Sequence, residues 1–358
     1  MIYIHVPFCH RKCSYCAFYS KPLRGGGGVG FYVDALLDEM ERRKGEQAHT
    51  IKTVYFGGGT PSILPLEMLS RIVDGLHRCF DLSAIEEMTV EANPEDLSPG
   101  YLEGLRRMGF DRLSIGVQSL DDGMLRLLNR RHTARQAIET IENAHRAGFG
   151  NISVDFIYGL PVDVNLNLNL DLNPAFDFQL VNHVSAYALT VEPGTALAVQ
   201  VEQGRVVLPG DDEVVRQYHA LYKRLESEGF RQYEVSNYAR PGCESKHNSR
   251  YWDRTPYLGL GPGAHSFDGR HRKWNNPDGT VGEETLGEAD AYNELLMTAL
   301  RTVRGLDLAL VPERQIERLH RLMQPYVDCG WIAFEGNSCR PTVEGLLHAD
   351  GMAAALFV

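Results

Sequence analysis

No stretch of the 358-residue sequence approaches the roughly 20 consecutive apolar residues that a helical membrane span requires. The opening MIYIHVPF has no basic start, no long apolar middle and no small-residue cleavage site, so it reads as a strand rather than a targeting peptide and predicts a cytoplasmic chain. A cationic surplus is missing as well. Against 47 Asp and Glu stand 36 Lys and Arg, a formal charge of -11, which argues against a nucleic-acid backbone as main partner because there is little to displace counterions. The cysteine complement is odd, seven in all, which does not suit a disulfide framework. With 43% hydrophobic, 23% charged and 9% aromatic residues the chain is neither disordered nor fibrous, and it is long enough for one large core or two ordinary ones.

Short β-rich runs alternate with amphipathic segments through the first two-thirds, the pattern of β-α units around a parallel sheet. The pattern predicts strands at Ile2–Val6, Thr53–Phe56, Met88–Glu91, Arg112–Val117, Ile152–Tyr158 and His183–Leu189. Between them, Phe31–Arg43 sets Val33, Leu36, Leu37 and Met40 on one helical face, and Leu66–Cys79, Pro99–Met108 and Thr133–Ala147 read as helices in the same way. In Val162–Leu172 apolar residues alternate strictly with Asp or Asn, a period of two that suits a strand. Gly210–Glu228 is helical again. Gln232 to about Gly287 is rich in Gly, Pro, Tyr and His with little periodicity and reads as a long functional connection. Helices then return at Ala289–Val303 and Glu313–Met323, with Pro325 as a stop, and a hairpin Ile332–Arg340 turns at Gly336-Asn337. This tail reads as a winged-helix-like module. From Asp290 onward 6 Arg face 9 Asp and Glu, so it lacks the charge for a nucleic-acid role.

Three of the cysteines crowd into Cys9-x3-Cys13-x2-Cys16, directly after the first strand, where α/β architectures carry their chemistry. Three thiolates there can hold a four-iron cluster with one iron left open to a small molecule. A Cys3His zinc site completed by His5 or His10 fits the spacing equally well.

The surrounding residues carry a resemblance. Tyr3-Ile4-His5-Val6-Pro7-Phe8-Cys9 with Cys13, Tyr15, Cys16 and Phe18 resembles the signature of radical S-adenosylmethionine (SAM) enzymes, specifically the oxygen-independent coproporphyrinogen III oxidase family. The likeness continues through Gly57-Gly58-Gly59-Thr60-Pro61, Glu91-Ala92-Asn93-Pro94-Glu95, Ser114–Ser119, Asn129-Arg130 and Asp155–Pro161. It implies that Cys9, Cys13 and Cys16 hold a [4Fe-4S] cluster, and that SAM chelates the open iron and is cleaved to a 5′-deoxyadenosyl radical. It also implies that Tyr3, Gly58, Gly59, Thr60, Glu91, Gln118, Arg130 and Asp155 surround SAM. The residue types suit such a ligand, since glycines let backbone approach it, acids and amides meet ribose and amine, and Arg130 meets a carboxylate. The glycine run lacks the Lys of a nucleotide P-loop, and Gly259-x-Gly261-x-Gly263 has no βαβ context around it.

Two departures point within the family. The oxidases carry a further cysteine two positions after the third, where this chain has Cys16-Ala17-Phe18, and they have an extension ahead of the cluster strand, which here starts at residue 2. Both features resemble the heme-chaperone branch. His247-Asn248-Ser249-Arg250-Tyr251-Trp252 matches the HNxxYW signature of that branch, and Tyr257–Ser266 is similar to the segment that follows it. An imidazole can bind heme iron axially and Tyr251 and Trp252 offer flat faces to a porphyrin, so His247, Asn248, Tyr251 and Trp252 are the heme candidates, with Cys243 a competing thiolate. Cys79, Cys329 and Cys339 read as packing residues, and His132, His145, His219 and His348 as structural or solvent-facing.

The expected fold is α/β, a partial (β/α)6 radical SAM barrel over residues 1–230, a connecting region 231–288 with the HNxxYW motif, and a C-terminal helical module 289–358. The expected function is a heme chaperone that keeps a [4Fe-4S] cluster and SAM. The alternatives are a coproporphyrinogen III oxidase and a zinc protein without redox chemistry. Expected partners are heme, a heme-accepting protein, an electron donor such as flavodoxin or ferredoxin, a membrane touched peripherally through the acceptor, and a second copy of the chain.

Overall fold

The computed structural model describes residues 1–23, 27–46, 50–161 and 176–358, and the alternating segment 162–172 lies outside the described residues. Six strands lie side by side and parallel: β1 (Ile2–Val6), β2 (Thr53–Gly58), β3 (Glu87–Ala92), β4 (Arg112–Gln118), β5 (Asn151–Tyr158) and β6 (His183–Ala188). Beyond β6 the sheet continues antiparallel through β8 (Asn237–Ala239) to β7 (Arg231–Gln232), and β9 (Leu258–Leu260) adds parallel to β1 on the other side. The order is β9-β1-β2-β3-β4-β5-β6-β8-β7, with β9 and β7 at the two ends unpaired with each other, so the barrel is partial and open.

Alternation along each strand decides what faces where. Ile2, Ile4 and Val6, Val54 and Phe56, Met88, Val90 and Ala92, and Leu113, Ile115 and Val117 belong to one apolar core with Leu36, Leu76, Leu105 and Ile141 of the flanking helices. Burying each such side chain stabilises the fold by about 1.5–3 kcal/mol. Phe56 meets Phe110 edge to face at 5.1 Å at its centre. The intervening residues point the opposite way, and there Thr53, Glu87, Thr89, Arg112, Ser114, Ser153, His183 and Ser185 are buried. A buried polar group is costly unless bonded, and this inner face bonds across strands: Ser153 with His183 Nδ1 at 2.7 Å, and Ser114 Oγ donating to Asp155 at 3.2 Å. A polar lining inside an apolar jacket therefore follows from period-two patterning alone.

Residues 265–285 form a second, antiparallel sheet of three strands, His265–Phe267, His271–Asn275 and Val281–Thr285. The last part combines the helices Glu288–Ala299, Glu313–Asp328, Val343–Leu347 and Ala349–Leu356 with a small sheet of Leu306–Asp307, Ser338–Pro341 and Ile332–Glu335. Its own core gathers Leu296, Leu319, Met323, Ile332 and Met352. The hairpin turns where expected, with Gly336 at φ 60°. Pro325 is not the expected stop: the helix runs on to Asp328. Proline removes a donor, but Cys329 N–H still closes onto the Pro325 carbonyl at 3.1 Å and Trp331 N–H onto Tyr326 at 2.8 Å, while Tyr326 and Val327 pack on the module core.

Candidate metal centre and ligand rim

The cysteine loop leaves β1 at Val6 and is tied down on two sides. Phe8–Cys9 pairs in parallel with Lys21–Pro22, closing the loop at its base. Ser14 bonds through its N–H to the Leu128 carbonyl at 3.1 Å and through Oγ to Leu127 at 2.9 Å, and Asn129 Nδ2 donates to the Lys12 carbonyl at 2.8 Å. Cys9, Cys13 and Cys16 are free and half-buried. Thr60 Oγ1 donates to Cys9 Sγ at 3.4 Å, and Arg130 Nη1 to Cys13 Sγ at 3.3 Å. The thiolate is the form of cysteine that ligates metal. Burial pushes the Cys16 thiol up, and the neighbouring Cys13 and Cys9 push it further. A polycationic iron body among the three sulfurs relieves that repulsion, so the donor set fits a cluster. Among the described residues no three His, Cys, Asp or Glu side chains are gathered as ligands of a single ion. His5, one candidate fourth zinc ligand, has Nε2 at 3.1 Å from the Tyr19 carbonyl and Nδ1 at 3.3 Å from Tyr3 Oη.

Of the remaining candidates, Gly58 and Gln118 close β2 and β4, Glu91 is next to last in β3, Tyr3 and Asp155 lie within β1 and β5, and Arg130 follows the helix Asp122–Leu127. Tyr3 lies nearly parallel to Tyr55 with ring centres 6.1 Å apart. Glu91 accepts from Tyr55 Oη at 2.8 Å and from Gly58 N–H at 3.2 Å. Burial lifts its carboxyl to about 7, outweighing the Tyr55 bond, and the charge of Asp155 adds to the rise. Asp155 itself is held above the usual carboxylate range by burial, with hydrogen bonds and Arg112 opposing. Gln118 sits at a register shift between β4 and β5 with φ 67°, which turns it out of the strand alternation. Arg130 Nη2 donates to Asn93 Oδ1 at 2.6 Å and to the Gly116 carbonyl at 2.7 Å.

Gly58 and Gly59 have a tighter reason than ligand access. At Gly58, φ is 111° and an added Cβ would stand 2.7 Å from the His5 ring; at Gly59 it would stand 2.6 Å from the Phe8 carbonyl oxygen. The glycine turn is thus packed directly under the cysteine loop, and Gly59 N–H also bonds the Val6 carbonyl at 2.8 Å. Gly59→Ala is expected to displace Phe8 and with it Cys9, lowering stability by about 1–3 kcal/mol. Thermal unfolding of the cluster-free protein measures this, and an unchanged midpoint would refute the close packing of turn and loop.

The HNxxYW motif forms the helix Lys246–Trp252, capped by Ser245 Oγ accepting from Asn248 N–H. His247 is fully buried beneath β2. Its Nδ1 is 2.9 Å from Thr53 Oγ1, its Nε2 is 3.2 Å from Tyr251 Oη, and its backbone N–H donates to Glu87 at 2.9 Å. Burial, then the amino terminus and Arg112, bring its pKa down to about 3, so the ring is neutral. In this conformation neither ring nitrogen is open to a ligand. Asn248, Tyr251 and Trp252 are half-buried around it, with the Arg301 guanidinium 5.9 Å over the Trp252 ring. Cys243 lies in the turn after Arg240. His132 is buried against the Val117 carbonyl, and His348 stacks on Trp331 at 4.0 Å, both in structural surroundings.

Three residues at this site are not among those the sequence marks as candidates. Tyr55 links Tyr3, Glu91 and His247, whose ring is 5.1 Å away. Asn93 joins Arg130 to Thr60 through Nδ2 at 3.3 Å. Arg112 is 1% exposed, and its Nε and Nη1 have no partner among the described residues. A cation opening the apolar strand RLSIGVQ is the signal that marks it.

Residues 3–165 match the Radical SAM superfamily and residues 286–348 the HemN C-terminal domain. The solved coproporphyrinogen III oxidase HemN of Escherichia coli shares the fold, with a TM-score of 0.84 at 22% identity over 100% of this chain and 89% of that one. The heme chaperone HemW of Bacillus subtilis is 38% identical over 76% of this chain and 72% of its own. The heme chaperone HemW of Mycobacterium tuberculosis is 36% identical over 99% of this chain and 94% of its own. With that likeness running through both the cysteine loop and the C-terminal module, the chain belongs to the HemW family within the radical SAM superfamily.

Proposed function

We propose that this chain is a heme chaperone that holds a [4Fe-4S] cluster at Cys9, Cys13 and Cys16, binds SAM at the rim of its partial barrel and passes heme to an acceptor protein. The observation that carries this reading is the 36% identity to a heme chaperone over 99% of the chain. A cluster bound there supplies an iron without a protein ligand, open to a chelating small molecule. The chain's own residues do the rest. Thr60 and Arg130 orient the sulfurs by donating to Cys9 and Cys13. Glu91, with a carboxyl near 7, and Asp155 accept from the amine and hydroxyls of SAM, Gln118 contributes its amide, and Tyr3 flanks the nucleotide. The connecting region 231–288, with His247, Asn248, Tyr251 and Trp252, receives heme, and residues 289–358 close over residues 1–230. No helix among the described residues is long and apolar enough to cross a membrane, and we place the chain in the cytoplasm. A flavodoxin or ferredoxin supplies electrons, and pairing with a second copy is compatible with an exposed cysteine loop.

Anaerobic reconstitution tests the reading. It is expected to yield about four irons and four sulfides per chain, a reduced-state spectrum that SAM perturbs, and stable heme binding without turnover of coproporphyrinogen III. Repeated conversion of that substrate would make the chain an oxidase. A zinc centre indifferent to SAM would overturn both.

A further inference from the structure

We propose that the exposed rim of the cysteine loop, Arg11, Lys12, Phe18 and Lys21, extended by Phe31 on the following helix Gly27–Arg43, is the docking surface for an acidic one-electron carrier protein. The inference rests on the cluster reading above and specifies where, and by what chemistry, the donor binds. Residues 1–33 contain Arg11, Lys12, Lys21 and Arg24 and no Asp or Glu, in a chain whose formal charge is -11. The charge at the loop thus opposes that of the whole molecule.

Exposure and pairing sharpen the contrast. Arg11, Lys12 and Lys21 are exposed, and among the described residues no carboxylate forms an ion pair with them. Nearby Arg131, by comparison, already faces Glu95 at 3.7 Å and Asp96 at 3.8 Å. Cations without a carboxylate partner beside the sulfurs leave a positive field that steers a negatively charged partner toward them. Apolar surface accompanies the charge. Phe18 is 72% exposed two residues after Cys16, and Phe31 is 78% exposed beside Tyr32, which is buried and meets Phe8 edge to face at 5.4 Å. Large exposed aromatics ringed by charge mark protein contacts. The loop is also preformed, fixed by Ser14, Asn129 and the Phe8–Cys9 pairing, so docking orders little.

Electron transfer needs close approach, and this rim is the surface that the cysteine loop itself presents. The carrier gives up one electron, the cluster's net charge falls by one, and no bond or proton moves. Three cations are few for a nucleic-acid track on an acidic chain, and the aromatics favour a protein over a phosphate surface.

The test uses a bacterial flavodoxin, followed by its own flavin, with the cluster-free chain. Binding is expected to weaken about tenfold in the triple variant Arg11→Glu, Lys12→Glu, Lys21→Glu. In the unmodified chain it should weaken steeply from about 50 mM to about 300 mM salt, as the screening length drops below about 10 Å. Phe18→Ser, which leaves charge untouched, should weaken it at both salt concentrations. On the reconstituted chain, reduction by reduced flavodoxin should slow about tenfold in the triple variant while photoreduction by deazaflavin keeps its rate. Unchanged affinity and reduction rate in the triple variant, or equally strong binding to anionic phospholipid vesicles, would overturn the proposal. Failure to assemble any cluster would count against the chaperone reading instead, since the binding arm reads the cluster-free chain.

Discussion

Replacing Cys9, Cys13 or Cys16 singly with alanine is expected to take the reconstituted chain from about four irons to fewer than about one. On the proposed reading each thiolate is one of three protein ligands, and two cannot hold a cube against solvent and exogenous thiol. The three losses differ in their structural side effect. Cys13→Ala strips the Arg130 Nη1 of its sulfur partner, in a side chain whose buried Nε already has no partner among the described residues. That loss should lower the stability of the cluster-free chain by about 1–3 kcal/mol. Cys9→Ala leaves only the Thr60 hydroxyl, which still accepts from Asn93 Nδ2, and should cost less. Cys329→Ala, at an exposed position, and Cys339→Ala, where the thiol lies 3.5 Å from Met323 sulfur in the module core, should retain full iron. Iron and sulfide assays with thermal unfolding separate the two effects. A full cluster in any of the three loop variants would remove that cysteine from the ligand set.

The strands of the barrel were legible because each sets apolar residues at alternate positions toward the helices, as Ile2, Ile4 and Val6 do in β1, and buried strands need that regularity. The polar residues between them, Tyr3, Glu91, Gln118 and Asp155, were legible only through resemblance to a family. β9 left no such trace. Three residues give no period, and its place beside β1 depends on the pairing of Ile2 with Leu258, far apart in the chain. Its glycines, weak as a phosphate signal, have a packing explanation: a Cβ at Gly259 would stand 1.9 Å from the His265 carbonyl oxygen, and Gly261, at φ 91°, lies against the His5 carbonyl. Pro325 misled because the rule for proline is local, whereas the packing that keeps the helix going is tertiary. His247 shows the same gap from the other direction. Its motif was plain in sequence, but nothing there revealed that both ring nitrogens are engaged beneath β2.

That burial makes heme binding at His247 a two-step matter, and the order of steps gives a sharp expectation. If the imidazole serves iron, it must first leave Thr53 and Tyr251, so only the fraction of molecules with the ring released can bind, and apparent affinity falls by that fraction. Thr53→Val keeps shape but removes the Nδ1 partner at 2.9 Å, far from the heme motif in sequence. Losing a hydrogen bond of about 0.5–1.5 kcal/mol should release the ring more often and tighten apparent heme affinity by about two- to tenfold. His247→Ala should do the reverse, weakening binding at least about tenfold and shifting the Soret band, because it removes the ligand rather than its restraint. Both substitutions lower stability, so the opposite signs on heme affinity distinguish a ligand from a packing residue. Should Thr53→Val leave affinity unchanged and His247→Ala alter only the unfolding midpoint, the ring is a strut between β2 and the helix Lys246–Trp252, and iron must be held elsewhere in the connecting region.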